Sequence, residues 1–237
     1  MEPIDGLSAP VEVRRHPKAR RLTLRVSRTR RAVIVTMPYQ CDLNEAGNFV
    51  DRNIDWVRAR LDSLPEVVAL ADNVVIPLRG EPHRLRFIDG LQGRRAVRRV
   101  EMQGELPELT TPGTAASAPA KLMAWFHAEA RRDLDTRVQW HAQRLDLKPK
   151  RIAVRDQTSR WGSCSTTGVL SFSWRLVLAP PHILDYVAAH EVAHLKEMNH
   201  GPRFWALVRK TYPDLDSAKR WLQVYGIDLH RYGARRA

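Results

Sequence analysis

Cysteine is scarce in this chain, with only Cys41 and Cys164 among 237 residues. Two cysteines form at most one bridge, which excludes a disulfide-rich secreted scaffold and favours a reducing compartment. The chain also lacks an uninterrupted apolar run of about 18 residues, the length that a membrane-spanning helix requires. Because residues 1–10 carry no basic flank followed by an apolar run, no secretory leader is expected. We therefore expect a soluble, cytoplasmic protein that makes no membrane contact.

Acidic residues are too few to balance the basic ones: 26 Asp and Glu stand against 39 Lys and Arg, a formal net charge of +13. Such an excess favours an anionic partner, and nucleic acid is the first candidate. The alternative is an ordinary solvated surface whose arginines reflect genomic composition. The basic residues concentrate in two clusters, which are Arg14, Arg15, Lys18, Arg20, Arg21, Arg25, Arg28, Arg30 and Arg31, and Arg84, Arg86, Arg94, Arg95, Arg98 and Arg99.

The segment richest in chemistry is His190-Glu191-Val192-Ala193-His194, an HExxH motif that is followed six residues later by His200. Two histidines four residues apart face the same side only in a helix. Residues 183–195 are almost wholly apolar outside the motif, with Asp185 as the exception, and Pro181 suits a first helical turn. The pattern predicts a buried helix with one polar stripe.

Three imidazoles and one carboxylate at this spacing are typical of a zinc hydrolase. His190 and His194 can reach one zinc ion from adjacent turns, while Glu191 can flank the metal and act as a base on water. His200 would lie about 240° away from His194 in a straight helix, so the helix must end between them. Asn199, Gly201 and Pro202 supply residues that suit such a break.

Glu197 is the competing third ligand, because it lies seven residues from His190 and near the same helical face. A rise of about 10 Å between the two positions disfavours shared coordination. The favoured set is therefore zinc on His190, His194 and His200. Outer partners usually orient ligand histidines through their second ring nitrogen, and Asp185 and Glu197 are candidates for this role.

Several motifs together resemble the YgjP-like metallopeptidase family, relatives of the SprT and WLM zinc proteases. They are Ser159-Arg160-Trp161-Gly162-Ser163-Cys164, Asp185-Tyr186-Val187 leading into the HExxH motif, and Phe204-Trp205. The resemblance spans roughly residues 11 to 226. It implies a zincin-like catalytic half with zinc on His190, His194 and His200 and with Glu191 as catalytic base, the same positions that the spacing favours.

The periodicity and the resemblance together predict an α+β fold. Residues 11–102 carry short alternating runs that predict strands and one helix, for which Asp42 and Glu45 resemble a capping box. Residues 103–120 are rich in Pro, Thr, Ala, Ser and Gly and predict a linker or surface loop at a domain boundary. Residues 121–230 are expected to form the zincin-like metallopeptidase domain, in which a short sheet shelters the HExxH helix and further helices follow.

Within the catalytic half, the expected elements are a helix over 121–145, a strand from Ile152, a hairpin around Thr167-Gly168, the HExxH helix, a helix from Pro202 to Thr211, and a last helix from Asp214 to Tyr225 that Gly226 terminates. In the N-terminal half, Trp56 lies beside the apolar stripe of the predicted helix, where a packing role is favoured over the alternative of stacking on a base.

The candidate substrate-binding residues are Arg160, Trp161 and Ser163. The segment Arg160–Ser165 could be an exposed sheet edge that pairs with an extended substrate backbone. The alternative is a structural hairpin in which Gly162 permits close approach to the HExxH helix. Arg160 could hold a substrate anion or stabilise an oxyanion.

The favoured function is a zinc-dependent hydrolase, a metallopeptidase acting on a peptide or protein. One rival keeps the metal but cleaves a phosphoanhydride such as that of a nucleotide, because arginine clusters suit phosphate. Another is a nucleic-acid-associated protein, either one with a structural zinc site or a protease that acts on DNA-bound proteins.

Overall fold

The computed structural model describes residues 7, 9–27, 29–90, 97–157 and 159–233. The chain divides between Val67 and Val68 into an N-terminal and a C-terminal compact unit. Three residues of the two basic clusters, Arg28, Arg94 and Arg95, lie outside the described residues. No helix in the described ranges combines the length and apolarity needed to cross a bilayer.

The N-terminal unit is a three-stranded sheet with two helices packed on it. Its elements are β1 (Val11–Arg15), β2 (Thr23–Ser27), β3 (Ala32–Met37), α1 (Leu43–Asp51) and α2 (Ile54–Asp62). The order is β1–β3–β2, with β1 parallel and β2 antiparallel to the central strand. The central strand is buried at every position except Thr36, because Val33, Val35 and Met37 share one core with the apolar faces of the helices.

The single helix predicted in this half is two helices. The capping box is confirmed, since Asp42 accepts from the backbone of Glu45 and the Glu45 side chain accepts from the backbone of Asp42. The chain leaves the helix at Arg52 and Asn53, where the Asn53 side chain donates to the carbonyl of Phe49 at 2.8 Å. The apolar stripe continues across this break, so periodicity could not reveal it.

The C-terminal unit contains two sheets and four helices within its described residues. They are β4 (Val75–Leu78), β5 (Glu81–Ile88), β6 (Arg98–Val100), β7 (Glu108–Pro112), α3 (Ala118–Leu145), β8 (Arg151–Arg155), β9 (Gly162–Cys164), β10 (Val169–Ser173), α4 (Pro181–Ala193), α5 (Pro202–Thr211) and α6 (Leu215–Leu229). The sheets have the orders β4–β5–β7–β6 and β8–β10–β9. The α+β prediction, with a strand-rich first part and a helical later part, is confirmed.

The segment 103–120, expected as a linker or surface loop, contains β7 and the first residues of α3. Strand β7 lies between β5 and β6, and its Leu109 and Thr111 are fully buried. The composition of the segment predicted a loop, although its inward-facing residues Leu109 and Thr111 follow the alternation of a strand. The four-stranded sheet belongs to the same compact unit as the HExxH helix, because the division of the chain falls between Val67 and Val68.

The core of the C-terminal unit forms around α3 and α4. Helix α3 contributes Leu122, Phe126 and Leu134, all fully buried. Phe126 stacks on Trp174 in the 3₁₀ turn that follows β10, with ring centroids 5.6 Å apart. These contacts fix the start of α4, because that turn leads directly into it.

Helix α6 continues through Gly226, which was predicted to terminate it. Gly226 is buried, and a Cβ there would lie 3.3 Å from the Trp161 ring. The glycine therefore serves close approach of the helix to a tryptophan, not a turn of the backbone.

Candidate active site

Helix α4 carries the HExxH motif and ends where the geometry requires. Pro181 is its first residue and His194 is its C-cap. The rings of His190 and His194 lie on successive turns, with centroids 4.9 Å apart. Ala188, Ala189 and other small apolar residues on the remaining faces are buried, so the helix packs deeply against its neighbours and its polar stripe is held rigidly.

The predicted helix break brings His200 to the other two histidines. The chain turns after His194, and α5 starts at Pro202. Ring nitrogens of His190, His194 and His200, hereafter the histidine cluster, all lie within 4.8 Å of one another. The Nε2 atoms of His190 and His200 are 3.1 Å apart, close to the separation of about 3.3 Å expected for two nitrogens on one tetrahedral zinc.

The second ring nitrogens of the cluster have different environments. The Nδ1 atom of His194 lies 3.0 Å from the backbone carbonyl of Glu197, which can accept its proton and leave Nε2 free for a metal. The Nδ1 atom of His190 is buried without a hydrogen-bond partner among the described residues. Burial, followed by the neighbouring His194 and His200, lowers the pKa of His190 to about 3. His190 is therefore neutral at physiological pH, the form that binds metals.

The two acidic candidates for orienting a ligand histidine have different environments. Glu197 is outside the histidine cluster, and it contacts His194 through its backbone and not through its carboxylate. Asp185 does not contact a cluster histidine: it accepts hydrogen bonds from Arg137 at 2.6 Å and lies 2.7 Å from the Nε2 atom of His141. Its role is to hold α4 against α3, because both of its partners belong to α3.

Aromatic rings enclose the cluster. Phe204 on α5 is fully buried, with ring centroids 4.9, 4.4 and 4.7 Å from those of His190, His194 and His200. Trp205 stacks on His200 at 5.7 Å, and the ammonium of Lys219 lies 3.5 Å from the Trp205 ring centroid. Sequence reasoning noted Phe204 and Trp205 as a family motif and missed Lys219, which no spacing rule connects to the site.

Glu191 is almost completely buried beside the cluster, with 5% of its surface exposed. Its Oε2 atom has no hydrogen-bond partner among the described residues. Burial raises the pKa of Glu191 to about 8, and the positive charge of Arg160 opposes this shift. A buried carboxyl without a partner is costly for the fold, so its retention points to a functional role.

The three candidate substrate residues lie at and before β9, an edge strand that pairs with β10 and with no other strand among the described residues. Ser163 is half-buried and opposite Ser171. Trp161 packs on His230, with ring centroids 4.8 Å apart, and on Gly226. Arg160 is exposed and forms no hydrogen bond or ion pair with the described residues. The alternative, in which Gly162 permits close approach of a structural hairpin to the HExxH helix, also has structural support, because β9 packs on α4.

No curated protein matches this chain. Among solved structures, the crystal structure of the metallopeptidase zymogen of Pyrococcus abyssi abylysin is similar at 18% sequence identity and a TM-score of 0.35. That match covers 38% of this chain and 92% of the abylysin chain.

A family comparison covers most of the sequence. The family described as YgjP-like, metallopeptidase domain, matches residues 20–225. The match includes strands β2 and β3 of the N-terminal sheet and all three residues of the histidine cluster. The chain therefore belongs to the YgjP-like metallopeptidase family.

Proposed function

We propose that the protein is a zinc-dependent peptidase in which His190, His194 and His200 hold the metal and Glu191 is the general base. The observation that carries this proposal is the convergence of three imidazole nitrogens within 4.8 Å beside a buried, unpartnered carboxyl. Neutral nitrogen donors in this number suit zinc better than they suit magnesium or calcium, which prefer oxygen.

The donor set supports a catalytic rather than a structural metal site. Structural zinc sites are closed by four protein ligands, whereas catalytic sites use three and leave one position for water or substrate. Within the described residues the metal-binding group contains three donors. When bound, zinc supplies a Lewis acid that acidifies water and polarises a carbonyl group.

Glu191 handles the proton in this proposal. Its Oε2 atom has no hydrogen bond to break before it accepts a proton from the attacking water. A nearby cation favours the charged carboxylate, so a loaded site would lower the pKa of Glu191 from its metal-free value of about 8. The same carboxyl then returns the proton to the nitrogen of the leaving amine, which completes hydrolysis of the peptide bond.

Strand β9 supplies a place for an extended peptide. Its outer edge has no partner strand in the sheet order, so main-chain groups near Ser163 can pair with a substrate backbone. Arg160 precedes this edge as an exposed cation whose charge acts on Glu191. We assign it to a substrate carboxylate or to the developing oxyanion. Trp161, the residue before β9, adds an apolar ring at the start of this edge.

The test compares wild type with Glu191→Gln, both loaded with zinc. The variant is expected to keep one equivalent of metal and to lose casein hydrolysis, because the amide cannot accept the proton. Glu197→Gln is the matched control, since its side chain is outside the cluster, and it should remain active. Undiminished hydrolysis by Glu191→Gln would show that the assigned base is wrong.

The phosphoanhydride rival receives little support from the second arginine cluster. Arg86 lies 3.6 Å from the carboxylate of Glu108, and Arg99 forms an ion pair with Glu101. Arginines that already pair with carboxylates are poor candidates for a phosphate site. A nucleotide panel assayed beside casein separates the two activities, and release of phosphate or pyrophosphate without proteolysis would favour the rival.

A further inference from the structure

The first arginine cluster, in the N-terminal unit, separates into two groups. Four of its arginines stabilise the fold of that unit. Arg14 and Arg30 pair with Glu12 at 2.8 Å, Arg15 donates to the carbonyls of Tyr39 and Cys41, and Arg31 donates to the carbonyl of Pro65 at 2.6 Å.

The remaining described members of that cluster have no such role. Lys18, Arg20, Arg21 and Arg25 are exposed, and their side chains form no hydrogen bond or ion pair with described residues. Three of them, Lys18, Arg20 and Arg21, lie in the loop between β1 and β2. Arg25 lies on β2, with its side chain exposed to solvent. We call these four residues the cationic surface. Like-charged side chains kept together without partners favour binding of an anion.

Two open grooves accompany the cationic surface along β2, which is an edge strand of its sheet. The first, of about 640 Å³, is lined by His16, Lys18, Ala19, Arg20, Arg21, Thr23 and Thr36. The second, of about 430 Å³, is lined by Leu24, Arg25, Val26, Trp56, Arg60 and Ser63. Neither lining set includes a carboxylate, and together the two sets contain five cationic side chains, those of Lys18, Arg20, Arg21, Arg25 and Arg60.

Trp56, for which packing was favoured over stacking on a base, is an exposed side chain. It is 45% exposed and lies in the wall of the second groove. The guanidinium carbon of Arg60 is 5.8 Å from the Trp56 ring centroid. Exposing a large indole has a free-energy cost in water, and an indole beside arginines is the arrangement on which an unpaired base stacks.

We propose that the cationic surface and Trp56 form a binding site for single-stranded nucleic acid. Lys18, Arg20, Arg21 and Arg25 contact consecutive phosphates along β2, and a base stacks on Trp56. The indole favours nucleic acid over an acidic protein or an anionic membrane, which need only the charges. It favours a single strand over a duplex, whose bases are already stacked. This site lies outside the residues proposed for peptide hydrolysis and does not depend on that activity.

The test measures binding of the full-length chain to a labelled oligothymidylate by fluorescence anisotropy at several salt concentrations. Four neutralised phosphates predict that log K falls with log salt at a slope of about −3. The double variant Arg21→Gln with Arg25→Gln should reduce that slope by about 1.4, since each single-strand phosphate contact contributes about 0.7. Lys148→Gln with Lys150→Gln removes the same charge from exposed positions of the other unit and should leave the slope unchanged.

Trp56→Ala tests the stacking step separately from the charges. Affinity should fall about 10-fold with an unchanged salt slope, and Trp56→Phe should restore part of it, because any aromatic face can stack on a base. Circular dichroism of each variant checks that the unit remains folded. The Glu191→Gln variant should bind as wild type, which separates this site from the proposed peptidase.

Three results would overturn the proposal. The first is binding to oligothymidylate that is absent or insensitive to salt. The second is equal affinity for a duplex of the same length together with no effect of Trp56→Ala, since the surface would then recognise phosphate alone. The third is tight binding of phosphatidylserine vesicles without binding of the oligonucleotide, which would identify a membrane as the partner.

Discussion

Gly162 on β9 lies directly against the carboxyl group of Glu191 on α4. A Cβ added to Gly162 would be 2.6 Å from both Cγ and Oε1 of Glu191. Real Cβ atoms essentially never show contacts shorter than 3.0 Å, so either the Glu191 side chain or strand β9 would have to shift. The pairing of β9 with β10 fixes the strand, and burial fixes Glu191. The glycine therefore determines where the carboxyl group can lie.

Gly162→Ala is expected to lower kcat by about 100-fold, the scale of a 1 Å misplacement of a reacting group. Zinc content should remain at one equivalent, because the three atoms nearest to the added Cβ all belong to Glu191 and none to the histidine cluster. Metal analysis and casein hydrolysis measure the two quantities. Gly47→Ala adds the same methyl group at a position where nothing lies within 4 Å of it, so it is the matched control and should retain kcat near wild type. Full activity of Gly162→Ala would contradict the steric argument.

His200→Ala is expected to weaken zinc binding by more than about 100-fold, which exceeds the usual effect of removing a residue that only orients a ligand. The Tm of the zinc-loaded protein should fall toward that of chelator-treated wild type, because a metal bound only by the folded state stabilises it. Competition with a coloured chelator measures the affinity. His182→Ala removes an exposed histidine outside the cluster, and an equal loss in that control would refute a specific role for His200.

Asp185→Asn is expected to reduce the free energy of unfolding by about 1–3 kcal/mol, because Arg137 and His141 lose a charged acceptor. Zinc affinity should change little, since Asp185 contacts no histidine of the cluster. Urea unfolding and chelator competition give the two values. Glu197→Gln provides a comparison in which neither value should change. A large loss of zinc affinity in Asp185→Asn, with stability unchanged, would restore the sequence-based role for this residue.

His230 is expected to make the protein less stable as the pH falls. Its folded-state pKa is lowered to about 4 by burial and by Arg175, against about 6.5 in the unfolded chain. Between these values the unfolded state binds more protons, so stability decreases as the pH drops from 6.5 toward 4. The contribution is about 2 kcal/mol between pH 7 and pH 5. This loss of stability between pH 7 and pH 5 should be absent from His230→Gln.

Urea titrations of wild type and His230→Gln at both pH values provide the measurement. His182→Gln is the control, because it replaces an exposed histidine and should retain the pH dependence of wild type. If the free energy of unfolding fell equally in wild type and in His230→Gln between pH 7 and pH 5, the buried imidazole would not be the cause of the acid sensitivity.

Local features of the fold could be predicted from the sequence because one or two helical turns contain all the residues that decide them. The spacing of His190 and His194 placed both rings on one face, and the residues from Asn199 to Pro202 marked the break that brings His200 back. The capping box of Asp42 and Glu45 likewise depends on four consecutive residues. In each case the backbone geometry of a short segment is sufficient.

Contacts between distant segments were beyond these patterns. Three examples are the parallel pairing of β5 with β7, the contact of Gly226 with Trp161, and the contact of Asp185 with His141 of α3. Each depends on which surfaces meet after folding. For β7 the composition was misleading. Its proline and threonine residues are typical of a loop, but alternate residues of this segment face the core and the segment is a strand.

The amino-acid order alone was enough to choose the residues of the histidine cluster and to put Glu191 beside it, because helical periodicity acts over a few residues. Tertiary packing decided the environment of those residues: Gly162 against the carboxyl group, Phe204 among the rings, and the raised pKa of Glu191. Burial and close approach join segments tens of residues apart, and no local spacing encodes which of them will meet.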